Sequence, residues 1–122
     1  MKLRILGNSV RVRLTQREVR SLASGHSIEQ TTMFSHSSKL VLFVESSLRA
    51  EHPVAIFTDQ QLSLRLPLAE VRQWAETEQV GIEAEQPIGE DQSLHILIEK
   101  DFECLQPRAS VDTDAFPNPK RS

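Results

Sequence analysis

The residues with the most chemical capacity lie on one short run near the end of the chain, Leu94 to Phe102 (LHILIEKDF). As a strand, the run alternates: Leu94, Ile96 and Ile98 face one way, and His95, Leu97, Glu99 and Asp101 face the other, with Glu103 continuing that row. A histidine leading a row of carboxylates could hold a hard cation or act as an acid/base pair. Geometry limits the idea. Same-face neighbours on a strand sit about 6.6 Å apart, so His95 and Glu99 cannot share an ion unless another strand adds ligands. Charged side chains on an edge strand also deter intermolecular pairing, which accounts for the row equally well. A solvated row is therefore the expectation, with His95, Glu99, Asp101 and Glu103 kept as an acidic candidate site.

The other soft ligands offer less. His26, His36 and His52 fall in polar stretches without a partner at metal-ligand spacing, and Cys104, between Phe102 and Leu105, reads as a small buried hydrophobe. There is no HExxH, CxxC or GxSxG, and four glycines give a phosphate loop little to be built from. No catalytic residue, cofactor or metal is expected.

A second set of residues is cationic. Strand alternation places Lys2 with Arg4, and Arg11 with Arg13, on outward faces, a strip able to meet phosphates or other anions. Charge is unevenly placed around the net -3. Residues 1–52 carry eight Lys/Arg against four Asp/Glu, giving +4, and residues 53–122 carry six against thirteen, giving -7. If each half contributes to both faces of one globule, these charges intermix, and the thirteen carboxylates argue against nucleic acid as a partner.

The elements that must position these residues follow from a repeat. Val10 to Ala23 (VRVRLTQREVRSLA) and Leu62 to Ala75 (LSLRLPLAEVRQWA) align at an offset of 52 with six identities in fourteen: Arg13/Arg65, Leu14/Leu66, Glu18/Glu70, Val19/Val71, Arg20/Arg72 and Ala23/Ala75. Each copy is an alternating strand running into a short helix. Thr15 and Glu18 have capping-box spacing, Pro67 suits a helix entrance, and Gly25 suits a helix stop. Val19, Leu22 and Ala23, like Val71, Trp74 and Ala75, form one narrow apolar stripe at i, i+3, i+4. Strands are expected at Leu3–Ile5, closed by Gly7-Asn8, and at Ile28–Phe34 and Leu40–Glu45. Their counterparts are Val54–Thr58, closed by Asp59-Gln60, and Gly81–Ile88 and Leu94–Phe102, the last two at an offset of 54.

A chain of 122 residues is the size of one domain. With 39% hydrophobic and 25% charged residues it reads as an ordinary soluble globule, and five Phe, one Trp and no Tyr leave few rings for stacking on bases or sugars. The single cysteine excludes an internal disulfide and fits a reducing compartment. Arg4 interrupts the opening apolar run, so no signal peptide is read, and no run has membrane-spanning length. The expected location is cytoplasmic.

The opening MKLRILGNSVRVRLTQREV and the later LIEKDFECLQPR…DAFPNP resemble a family of small bacterial proteins of unknown function, over essentially the whole chain. That resemblance implies no activity and no site. The half-repeat is similar in layout to the swapped-hairpin domains of AbrB-type regulators, which implies interlocked halves and DNA binding. The chain departs from that pattern in lacking an Ile-Pro step in its first copy and in its acidic second half.

The fold class expected is α+β: two tandem ββαββ repeats (about 2–47 and 54–105) in a single domain, 1–105. They would form one barrel-like or curved, mainly antiparallel sheet with two short helices; an open two-layer sheet is the alternative. Residues 106–122, carrying Pro107, Pro117 and Pro119, are expected to be a flexible or docked tail. Function ranks as a non-enzymatic binding or protein-interaction domain, then a nucleic-acid-binding module of the swapped-hairpin type, then a small enzyme using Glu99, Asp101 and His95. A protein partner or self-association suits the first reading, and no membrane is implied.

Overall fold

In the computed structural model, residues 1–102 and Phe116 are described. Among them the chain forms β1 (Lys2–Leu6), β2 (Ser9–Leu14), α1 (Gln16–Ala23), β3 (Ile28–Met33), β4 (Lys39–Ser47), β5 (Val54–Thr58), β6 (Gln61–Pro67), α2 (Leu68–Glu76), β7 (Gly81–Gly89) and β8 (Gln92–Lys100). The class is α+β, as expected. The expected tail lies outside the described residues apart from Phe116, whose ring is exposed.

Local chemistry explains the elements. Thr15 closes the capping box at the head of α1: its hydroxyl accepts from the Glu18 N–H, and its own N–H donates to Glu18 Oε1 at 2.9 Å. The helix ends at Gly25, whose φ of +89° is the left-handed stop that glycine adopts without strain. At α2, Pro67 takes the cap position with no side-chain cap. Both apolar stripes face inward: Val19 and Leu22 on α1, and Leu68, Val71 and Trp74 on α2, are buried. The Trp74 indole donates to the Val80 carbonyl at 3.0 Å, so its one polar group is satisfied inside the core.

The strands make two four-stranded mixed sheets rather than one. Their orders are β1-β2-β8-β7 and β3-β4-β6-β5, and neither closes into a barrel. The expected single curved or barrel-like sheet is corrected here. The reason lies in the helices: α1 carries the chain from β2 in one sheet to β3 in the other, and α2 carries it back from β6 to β7. Each sheet therefore joins an early hairpin to a late one through a parallel seam, β2 with β8 and β4 with β6; the other pairings are antiparallel. Where a barrel would need a backbone ladder between β5 and β7, a side chain stands instead. Gln86 accepts from the Ala55 N–H at 2.7 Å and donates to the Ala55 carbonyl at 3.0 Å, which satisfies edge groups of β5 without extending either sheet.

One hydrophobic core spans both sheets and both helices. It includes Val12, Leu14 and Leu22 from the first half of the chain and Leu64, Leu66, Val71, Trp74, Ile96 and Ile98 from the second. Among the described residues, no helix is long and apolar enough to cross a membrane.

Candidate functional site

The outward face of sheet β1-β2-β8-β7 brings together two sets of residues that lie far apart in the sequence. The register builds it row by row. Arg4 stands opposite Arg11, Arg11 opposite Leu97, and Leu97 opposite Glu83. One row nearer α1 come Lys2, Arg13, Glu99 and Gly81; one row farther away come Leu6, Ser9, His95 and Glu85. The cations on β1 and β2 thus meet the carboxylates on β8 and β7.

Glu99 is the centre of the arrangement. Its Oε1 lies 2.7 Å from Arg13 Nε and 3.0 Å from Arg11 Nε. Lys2 Nζ reaches Asp101 Oδ2 at 3.0 Å. Hydrogen bonding from Lys2, together with its charge, holds the Asp101 carboxyl below the ordinary aspartate range. The expectation of a solvated row on an edge strand fails for Glu99, which is only 9% exposed. β8 is an inner strand with neighbours on both sides, and Glu99 is shielded by the two guanidiniums it pairs with. Glu103, the last residue of the expected row, lies outside the described residues, as does Cys104.

His95 faces the other way along its row. Its Nδ1 lies 2.7 Å from Glu85 Oε1 and its Nε2 3.6 Å from Glu83 Oε1. Glu85 also accepts from Ser93 Oγ at 2.8 Å, and these hydrogen bonds, from Ser93 first and His95 second, hold its carboxyl below the usual glutamate range. The neighbouring strand does supply carboxylates to His95, but no group of three or more His, Cys, Asp or Glu suited to a metal ion forms among the described residues.

Several concavities adjoin these residues, among them one over Lys2, Arg4, Arg11 and Arg13 and one beside Glu83 and Glu85, and two bear on the binding question. Over the face itself lies a pocket of about 220 Å³ lined by Arg4, Leu6, Ser9, Arg11, His95 and Leu97, with no carboxylate in its wall. At the opposite end of the strands, a groove of about 660 Å³ runs along Leu14, Val19, Ala75 and Phe102, with Arg20 and Lys100 among its polar residues.

A model of a family of unknown function matches residues 1–120. The chain belongs to that family, DUF7009. The family resemblance read from the opening and closing segments is thereby shown, and it brings no activity with it. No curated protein and no solved structure matches the chain.

Ser9, Glu83 and Glu85 complete this family member's charged face and were not singled out from the sequence. Ser9 is the first residue of a strand, and its hydroxyl becomes relevant only once β8 brings His95 opposite it. Glu83 and Glu85 alternate along β7 in a pattern common on any outward strand face, and only the β7–β8 register points them at His95.

One constraint of the face is steric. Gly81 lies opposite Glu99, and a Cβ placed there would sit 2.7 Å from the Ile98 carbonyl oxygen and 3.1 Å from Glu99 Cβ. The close approach of β7 to β8 at this point requires glycine.

Proposed function

We propose that this protein is a non-enzymatic binding domain whose ligand surface is the outward face of β1-β2-β8-β7. The observation that carries the reading is the pocket beside Arg4 and Arg11. It gathers two guanidiniums, a hydroxyl and an imidazole around Leu97 and Leu6, with no carboxylate in its lining. Convergent polar groups over an apolar floor are what a small-ligand site needs. The enzyme reading is weaker because its carboxylates are committed. Glu99 is ion-paired with Arg11 and Arg13, and Lys2 holds the Asp101 carboxyl low, whereas a general acid needs a carboxyl raised toward neutrality.

The scaffold is read as a single domain, 1–105, made of two copies of one ββαββ unit (about 2–47 and 54–105) that exchange hairpins. Shifting each label by four turns the strand order of one sheet into that of the other. Individual contacts recur at the offsets of 52 and 54. His95 N–H donates to Asn8 carbonyl at 3.0 Å, and Val41 N–H to Gln60 carbonyl at 2.8 Å. Arg13 pairs with Glu99, and Arg65 with Glu45. Such interlocking favours the swapped-hairpin layout, while the neutralised strip disfavours the DNA-binding role associated with it. The single cysteine remains consistent with a cytoplasmic setting.

The test is an amide-resolved NMR screen of a chemically diverse fragment library. Ligands whose shifts cluster on residues 4, 9, 11, 95 and 97 support the reading. Ligands that cluster instead along Leu14, Val19 and Phe102 would relocate the site and overturn it.

A further inference from the structure

We infer that the pocket at Arg4 and Arg11 binds the phosphoryl dianion of a phosphate monoester; this rests on the reading of that face as the binding surface. The charges along β1 and β2 are unbalanced. Arg4 and Arg11 are Cα partners across the antiparallel β1–β2 ladder, and so are Lys2 and Arg13. Like charges placed directly opposite each other on a sheet face repel and destabilise it. Two carboxylates answer these four cations among the described residues, and they are not evenly shared. Lys2 has Asp101 and Arg13 has Glu99 at 2.7 Å, while Arg11 shares that same Glu99 oxygen at 3.0 Å and Arg4 has no ion-pair partner among the described residues. Among the four cations and the carboxylates ion-paired to them, four positive charges meet two negative, and the excess lies where Arg4 and Arg11 border the pocket, with Glu83 and Glu85 two strands away on β7.

The other walls fit the same ligand. Glu83 and Glu85 lie on β7, across β8 from Arg11, where they meet the His95 ring, and neither lines the pocket. Ser9 supplies a hydroxyl, able to donate to a phosphoryl oxygen. Guanidiniums match phosphate oxygens through paired N–H donors, and a monoester carries about -1.5 to -2 charges near neutral pH, which offsets the excess of two. A diester or a simple carboxylate carries one charge and would leave half of it. Leu97 and Leu6 give the ester substituent an apolar surface, and a volume of about 220 Å³ has room for a small one.

The experiment titrates the full chain with inorganic phosphate, phenyl phosphate, dimethyl phosphate and acetate at constant ionic strength, following backbone amides by NMR. The expected result is saturable binding of inorganic phosphate and phenyl phosphate with a Kd on the order of 1 mM or tighter. The shifts should centre on residues 4, 9, 11 and 95, and phenyl phosphate should also move residue 97. Dimethyl phosphate, which carries the single charge of a nucleic-acid linkage, and acetate should bind at least about tenfold more weakly. Arg4→Gln should weaken phosphate binding about tenfold or more, as loss of one charge-assisted contact implies, while Arg17→Gln on the exposed side of α1 should leave it unchanged. Arg4→Gln relieves a like-charge pair, so its melting temperature should not fall, and Arg4→Lys should recover part of the binding. Equal affinity for acetate and phosphate, or phosphate binding indifferent to Arg4→Gln, would overturn the inference. If inorganic phosphate and phenyl phosphate both fail while fragments still map to residues 4, 9, 11, 95 and 97, the ligand class is wrong and the binding face stands. If the fragments fail there as well, the face falls with it.

Discussion

Arg13 and Glu99 meet across the parallel seam of one sheet with Nε and Oε1 2.7 Å apart, and Arg65 and Glu45 repeat that contact at 2.7 Å across the seam of the other. The environments differ. The Glu99 side chain is 12% exposed and also holds Arg11, whereas the Glu45 side chain is 29% exposed and the Arg65 side chain 53% exposed. Removing the Glu99 charge would leave two neighbouring guanidiniums facing each other with reduced screening. Glu99→Gln is therefore expected to cost about 1–3 kcal/mol, the range for breaking a charged, partly buried hydrogen bond. Glu45→Gln should cost about 0.2–1 kcal/mol, as for exposed ion pairs. Urea denaturation of both variants checks the order, and equal midpoints would show that Glu99 is no more than a surface partner.

Trp74 on α2 and Leu22 on α1 are both fully buried. Trp74→Ala is expected to lose about 3–5 kcal/mol and Leu22→Ala about 2–5 kcal/mol. The wild-type indole should emit at short wavelength and resist iodide quenching. A quenchable tryptophan would contradict the buried position and the hydrogen bond to Val80.

Gly81 should tolerate no side chain. The Cβ of Gly81→Ala would collide with the Ile98 carbonyl, a backbone atom that cannot swing aside. Strain of about 1–3 kcal/mol is expected, as for overpacking elsewhere. Gly89→Ala, which meets nothing within 4 Å, is the control and should cost less.

Neither half should fold alone. Each sheet needs hairpins from both halves, and about 50 residues rarely support a core without disulfides or metal. Residues 1–52 and 53–122 made separately should show no cooperative melt as monomers, and mixing them should restore one. A cooperative monomeric transition in either piece would show that the exchanged hairpins are dispensable.

Much of this was legible in the sequence, and the limits have physical causes. Period-two alternation, the apolar run at Leu40–Glu45 and the matching of the two halves located every strand to within a residue or two, because a half-buried face leaves its mark wherever the partner strand comes from. The capping box at Thr15 and the stop at Gly25 are local signals and were read correctly. What alternation does not encode is which strand lies next to which. The offsets matched Arg13 with Arg65 and Glu45 with Glu99, so both members of the recurring pair were visible, yet nothing local says that Arg13 finds Glu99 rather than Glu45. For the same reason the cationic strip and the carboxylate row were read as rival sites, and β8 was taken for an edge. Parallel pairing of β2 with β8 makes the two sets one surface.

That surface decides the last prediction, on duplex DNA. A strip of Lys2, Arg4, Arg11 and Arg13 looks from the sequence like a phosphate track, and each phosphate contacted would add about -0.9 to the slope of log K against log salt. In the folded protein, Lys2 is spent on Asp101, and Arg11 and Arg13 on Glu99, which leaves Arg4 as the cation without a paired carboxylate among the described residues. Glu83 and Glu85 on the far strand of the same face would repel a second phosphate track. The other sheet offers no duplicate, because Ser63 and Ile56, 52 residues on from Arg11 and Arg4 and paired across β5–β6, carry no charge. Dimeric or tandem readers present basic surface from both units, and here such a strip lies on one sheet face. One or two contacts cannot hold a duplex at about 150 mM salt, where exposed charges are screened within roughly 8 Å. An anisotropy titration there should show no binding at micromolar protein. Sub-micromolar binding with a salt slope of -4 or steeper (about four phosphates at -0.9 each), lost in the Arg4→Gln, Arg11→Gln double variant, would mean that the carboxylates release their arginines to the duplex and that the regulator reading is the right one.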